Sequence, residues 1–184
     1  MPLAREYDYI SYSEYLEYTK NLEQKTEYSD GEIFYMSPIH PKHNKVQNRL
    51  YMQLENSLKE CNKCEVYTSD IAVKFKDEEK EHQFEPDVMV ECDGNFSGSI
   101  YVGIPTLVIE VLSRATRDRD KGLKLNVYEQ FGVKQYWIVN IDLEEITVYS
   151  NNVNGKYKSI VTYTKEMTLM WNNSNIDLNY IFNK

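Results

Sequence analysis

The stretch that most constrains the fold is residues 105–139, PTLVIEVLSRATRDRDKGLKLNVYEQFGVKQYWIV. It opens on the apolar run TLVIEVL (106–112), broken by one carboxylate, Glu110, and closes on a second apolar run, KQYWIVN (134–140). Between them, residues 118 to 131 carry Leu123, Val127 and Phe131 at helical spacing, and Gly132 is placed to end the helix. Strand, helix and strand with a crossover of this length predict a parallel βαβ unit. Alternation along the first strand puts Val108, Glu110 and Leu112 on one face and Leu107, Ile109 and Val111 on the other. A buried, unpaired carboxylate is costly, so Glu110 needs a reason to be there. Either it pairs with an arginine or lysine in a structural ion pair, or it belongs to a functional site.

The flanking sequence supplies the rest of an α/β order. SYSEYLEYTK (11–20) reads as a short amphipathic helix with Ser13 as N-cap. Asp30-Gly31 between two β-prone runs predicts a hairpin. SPIHP is a loop, and residues 42–60 read as a helix with Val46, Leu50, Leu54 and Leu58 in one stripe. EVYTSDIAVKF is one or two strands, KDEEKEHQ a charged turn containing a solvated His82, and PDVMVE a strand opened by Pro86. After residue 140, EITVYS, YKSIVTY and EMTLMW read as a meander. The expectation is a single domain over residues 1–184, with strands 86–91, 106–112 and 134–140 in one mixed sheet flanked by helices, an N-terminal hairpin and a C-terminal β meander.

Asp87 follows the proline that opens its strand. If that strand neighbours the one carrying Glu110, the two carboxylates can face one side and share a divalent ion. Taken by itself, Asp87 also suits a turn. Mg²⁺ takes hard oxygen ligands, commonly one or two carboxylates with water and phosphate, and such an ion activates water and stabilises charge on a phosphoryl oxygen. Phosphodiester cleavage also needs a nearby cation. Two residues after Glu110, about 6.6 Å along the same strand face, stands Leu112, so the strand itself cannot supply it. The helix can: Asp120, Lys124 and Tyr128 lie on one face. The plain alternative there is an exposed Asp120–Lys124 ion pair of small effect.

PDVMV, PTLVIEVLS and RDRDKGLKLNVYEQFGVKQYWIVN together resemble the Uma-type restriction endonuclease family of the PD-(D/E)XK nuclease superfamily, and EYSDGEIFYMSPIHPKHNKV resembles that family's opening block. The likeness runs over about residues 11 to 140. It implies a restriction-endonuclease-like core and Mg²⁺- or Mn²⁺-dependent cleavage of nucleic acid, with DNA the expected substrate. By position it implies that Asp87 and Glu110 bind metal, that Lys124 is a relocated catalytic lysine, and that Glu27 or Glu32 in the hairpin and His43 at the helix start are accessories. The Val111 carbonyl is a further candidate metal ligand. Tyr128, Gly132, Val133, Tyr136 and Trp137 match the pattern after the lysine. Asn140 departs from it, standing where the family often has aspartate, and Lys121 is a second candidate lysine. Lys124 borders the packing stripe whereas Lys121 is nearer the frayed helix start, which assigns the role to Lys124.

Composition narrows the rest. A formal charge of −8 opposes a general nucleic-acid coat protein but leaves room for a nuclease whose acids hold metal. It also keeps open a nuclease fold used only for interaction or regulation. No apolar run reaches the roughly 20 residues of a membrane span, and MPLAREYDYISYSEY lacks a signal-peptide core, so a cytoplasmic protein is expected. Three cysteines argue against a disulfide framework. Cys61 and Cys64 lack the second pair of a zinc site and read as incidental. A homodimer is expected from the two-strand geometry of duplex cleavage.

Overall fold

A computed structural model of the chain describes residues 9–61 and 63–183; the N-terminal residues 1–8 read above lie outside them. Helix α1 (Tyr12–Thr19) precedes the hairpin β1 (Thr26–Ser29) and β2 (Glu32–Tyr35), and α2 (Pro41–Ser57) follows. Then come β3 (Glu65–Thr68), β4 (Ala72–Lys76), β5 (Glu81–Phe84), β6 (Val88–Glu91), the short β7 (Phe96–Ser97) and β8 (Ile100–Tyr101), and β9 (Leu107–Val111). A continuous helical stretch runs as α3 (Arg117–Arg119), a π-helical segment (Asp120–Lys124) and α4 (Leu125–Gln130). The chain finishes with β10 (Gln135–Asn140), β11 (Glu145–Asn152), β12 (Tyr157–Tyr163), β13 (Leu169–Trp171), β14 (Ser174–Ile176) and α5 (Leu178–Phe182).

The strands form two six-stranded sheets and a small hairpin. The first sheet has the order β2-β1-β5-β4-β8-β7, the second β12-β11-β10-β9-β6-β3, and β13 pairs with β14. In the second sheet β9 and β10 are parallel, as the βαβ reading requires, while β6 runs antiparallel to β9. Strand β9 is buried along its whole length, which explains its almost uninterrupted apolar run. One face of this sheet packs on α2 and α5 through Val46, Leu50, Leu54, Ile109, Trp137 and Ile181. The other face packs on α4 and the first sheet through Val108, Val127, Tyr128, Tyr136, Phe75 and Phe84.

Several expectations need correcting. Ser11, not Ser13, caps α1, because its hydroxyl and the Glu14 carboxylate close a capping box. The hairpin at Asp30-Gly31 forms as expected, with φ of 46° and 92°, but it belongs to a second sheet. EVYTSDIAVKF forms two strands, as the one-or-two-strand reading allows, and they divide between the two sheets as β3 and β4. The charged turn stops at Lys80: EHQF is strand β5, and His82 is buried on it, bonded to Ser29 and stacked near Phe84. EMTLMW leaves the meander, since β13 finds β14 rather than β12. Finally, Cys64 and Cys92 form a disulfide. The β3–β6 register of Glu65 opposite Glu91 brings the next residues face to face, a pairing that sequence spacing does not reveal. Cys61 is the free cysteine. No helix among the described residues is long and apolar enough to cross a membrane.

Candidate active site

Five segments converge on one cavity of about 570 Å³. Strand β1 contributes Glu27, the first turn of α2 His43, the approach to β6 Asp87, and β9 Glu110; the π segment adds Asp120 and Lys124. The β6–β9 register pairs Val88 with Ile109, so one step further Asp87 stands opposite Glu110. Pro86, which has no N–H to donate, stands just before the strand, and ladder pairing with β9 begins at Val88. The Asp87 carboxylate is held from both sides. Its Oδ2 accepts the Val111 N–H at 2.7 Å, and its Oδ1 lies 2.8 Å from His43 Nε2. A carboxylate only accepts, so this contact places the imidazole proton on Nε2. One turn along α2, the Gln47 amide donates to the Asp87 carbonyl at 2.8 Å.

Lys124 is the electrostatic centre. It is only 3% exposed, yet its ammonium meets Glu27 Oε1 at 2.7 Å and Glu110 Oε1 at 2.8 Å. Asp120 Oδ1 is 3.9 Å away. The Tyr128 hydroxyl donates to the same Glu110 oxygen at 3.0 Å. Arg119 reaches Glu27 Oε2 at 3.0 Å, and Glu27 Oε1 also accepts the Glu85 N–H. Burial opposes the charge on Lys124, but Glu110, Glu27 and Asp120 outweigh it and hold its ammonium above the ordinary lysine range. Burial pushes the Glu110 carboxyl well above its usual value; Lys124 opposes that shift, and Asp120, Asp87 and Glu27 add to it. Asp120 is raised for the same reasons, burial first. The Tyr128 hydroxyl is raised by burial and by the Glu110 charge.

The structural ion pair that was the plain reading of Glu110 does exist, as Glu110–Lys124, but it forms part of a cavity wall. The Asp120–Lys124 pair is buried, not exposed as that reading supposed. Lys121 is exposed and outside the cavity lining. Glu32 is exposed on β2 and also outside it, whereas Glu27 is fully buried within it. Val111 lines the cavity and gives Asp87 its N–H. Sequence reasoning missed Arg119 and Gln47. The signal for Gln47 was its place one turn after His43; for Arg119 there was none, because its partner sits in a distant hairpin.

The donor chemistry suits a hard divalent cation. Glu27, Asp87, Glu110 and Asp120 crowd together, and the buried Asp120 Oδ1 accepts no hydrogen bond. The nearby fixed cations are Lys124 and Arg119. Among the described residues no group of three or more histidines, cysteines or acids is placed to hold a metal ion.

Comparison with known proteins gives a consistent result. The sequence model of Uma2, described as "Putative restriction endonuclease", matches residues 12–174. The "Uncharacterized protein slr1290" of Synechocystis sp. (strain ATCC 27184 / PCC 6803 / Kazusa) is 31% identical over 150 residues, spanning 80% of this chain and 77% of that protein. A crystal structure from Anabaena variabilis ATCC 29413, described as a "putative nuclease", superposes with a TM-score of 0.73. It covers 91% of this chain and 96% of the other at 15% identity, so the likeness is one of fold.

Proposed function

The chain belongs to the Uma2 family, and from that premise we propose that it is a nuclease that hydrolyses phosphodiester bonds in DNA with Mg²⁺ or Mn²⁺. The observation that carries the reading is the wall of the cavity: Asp87, just before β6, opposite Glu110 of the neighbouring β9, with the Lys124 ammonium 2.8 Å from Glu110. Asp87 and Glu110 would hold the ion. Bound there, it would supply Lewis-acid activation of water and charge stabilisation on a phosphoryl oxygen.

The chain's own residues do the positioning. The Val111 N–H and His43 fix the Asp87 carboxylate. Glu27 and Glu110 hold the Lys124 ammonium at the cavity wall, where it offsets charge on a phosphate or orients the attacking water. Tyr128 steadies Glu110 from the core side. Lys42 and Arg114, both exposed and lining the same cavity, are available to phosphate oxygens. The rival, a nuclease fold that binds without cutting, draws support from the −8 charge.

The test is incubation of plasmid, single-stranded DNA and RNA over a metal panel, beside Asp87→Ala as a contamination control. Melting curves with and without Mn²⁺ accompany it, since a ligand bound only by the native state raises Tm. The wild type should nick plasmid and melt higher in Mn²⁺, and Asp87→Ala and Glu110→Ala should lose both effects while folded. A Tm shift without cleavage of any substrate would favour the binding role. A full shift in either variant would remove the shared site.

A further inference from the structure

Each of the two large sheets has two end strands: β2 and β7 in the first, β12 and β3 in the second. Three of these are short, with four residues in β2, two in β7 and four in β3. Strand β12 has seven, YKSIVTY, and among the described residues it pairs with β11 alone. Its outer edge therefore carries a row of backbone N–H and C=O groups with no strand beside them. Proteins usually blunt such an edge with charge, proline, a bulge or brevity. Here there is no proline and no carboxylate, and the one charge is Lys158. Ile160 is 61% exposed and Val161 37%, and both have high β propensity.

The order of the residues singles out one partner. When β12 is laid antiparallel against a second copy of itself with Ile160 at the two-fold axis, Tyr157 faces Tyr163, Lys158 faces Thr162, Ser159 faces Val161, and Ile160 faces Ile160. The lysine meets a threonine, never its own copy, so the register has no like-charge opposition, and its centre is an aliphatic contact. The whole chain carries −8. The end strands β2 and β3 each present a glutamate, Glu32 and Glu65, whereas β12 has none. Two acidic molecules meet at β12 with least repulsion.

We propose that β12 is a homodimer interface, at which two copies join their second sheets edge to edge into one continuous twelve-stranded sheet. The contact is isologous and closes with two chains, which removes the exposed edge from both. Main-chain hydrogen bonds supply the association and the central isoleucines the register, as in strand-addition complexes generally. The proposal does not depend on the nuclease reading.

The test is the mass in solution at tens of micromolar, by light scattering or sedimentation. Wild type should weigh twice the 21.8 kDa of one chain. Ile160→Lys and Ile160→Glu each place like charges at the axis and should each weigh a single chain, with far-UV spectrum and melting temperature close to wild type. Mixing the two variants in equal amounts should restore the two-chain mass, because lysine then faces glutamate, a recovery that misfolding cannot imitate. Tyr35→Lys, on the edge strand β2, should stay dimeric. A wild type of single-chain mass, a dimer that survives both substitutions, a mixture that stays monomeric, or assemblies larger than two chains would each overturn the proposal.

Discussion

Lys124 shows how one side chain ties the hairpin, the central strand and the helix together. Its ammonium joins Glu27 of β1, which Arg119 also reaches, to Glu110 of β9, which among the described residues has no other cation on it. Removing one member of a buried charge cluster leaves the others uncompensated, at a cost on the order of 3–5 kcal/mol. A divalent ion can replace the missing charge. Lys124→Met should therefore melt well below wild type in EDTA, and Mn²⁺ should raise its Tm by more than it raises that of the wild type. Its rate of plasmid cleavage should nonetheless fall on the order of 100-fold or more, because a positioned cation is gone. The exposed Lys121, changed to Met, should alter neither stability nor the Mn²⁺ response. An Mn²⁺ shift in Lys124→Met no larger than in wild type would mean that ammonium and metal do not compete for Glu110.

At the scale of the element, the decisive feature is the π-helical segment Asp120–Lys124 between two α-helical pieces. A π turn accommodates one extra residue, and such turns gather at functional sites. Here it lets Arg119 reach Glu27 and Lys124 reach both Glu27 and Glu110 from one continuous helix. Meanwhile Val127 and Tyr128 stay packed on the sheet. Deleting Lys121 would restore the α period and close the wider turn, which moves Asp120 and Lys124 from the positions they hold on it. The deletion variant should fold and keep its Mn²⁺-induced Tm shift, since Asp87 and Glu110 lie on other elements. Cleavage should drop on the order of 100-fold, because an ångström-scale misplacement of positioning groups costs that much. Full activity in the deletion variant would show that the π turn has no bearing on the site.

For the whole molecule, the second sheet organises everything: α2 and α5 cover one face, and α4 with the first sheet covers the other. Its end strand β3 is short, and the Cys64–Cys92 disulfide ties it to β6, the strand that Asp87 introduces. The bond closes a loop with a sequence separation of 28 residues, for which chain entropy predicts a stabilisation of about 3.5 kcal/mol. Dithiothreitol, or the substitution Cys92→Ser, should lower the unfolding free energy measured in urea by roughly 2–4 kcal/mol. Equal stability with and without reductant would show that the two thiols are not joined.

What the sequence by itself determined is everything that depends on local periodicity and chain direction. The βαβ unit, the α2 stripe of Val46, Leu50 and Leu54, the turn at Asp30-Gly31 and the placement of Lys124 rather than Lys121 toward the sheet all follow from residues a few positions apart, and the structure has them. Tertiary structure alone decided which distant segments meet. That Glu27 is buried against Lys124 while Glu32, five residues on, faces outward depends on which strands lie beside the hairpin. The same is true of the Arg119–Glu27 pair, the burial of His82, the division of EVYTSDIAVKF between two sheets and the Cys64–Cys92 bond. Each is a contact between residues far apart in the chain, selected by burying both sheets against shared layers. Period and propensity describe a segment's faces, and only the packed molecule says what each face meets.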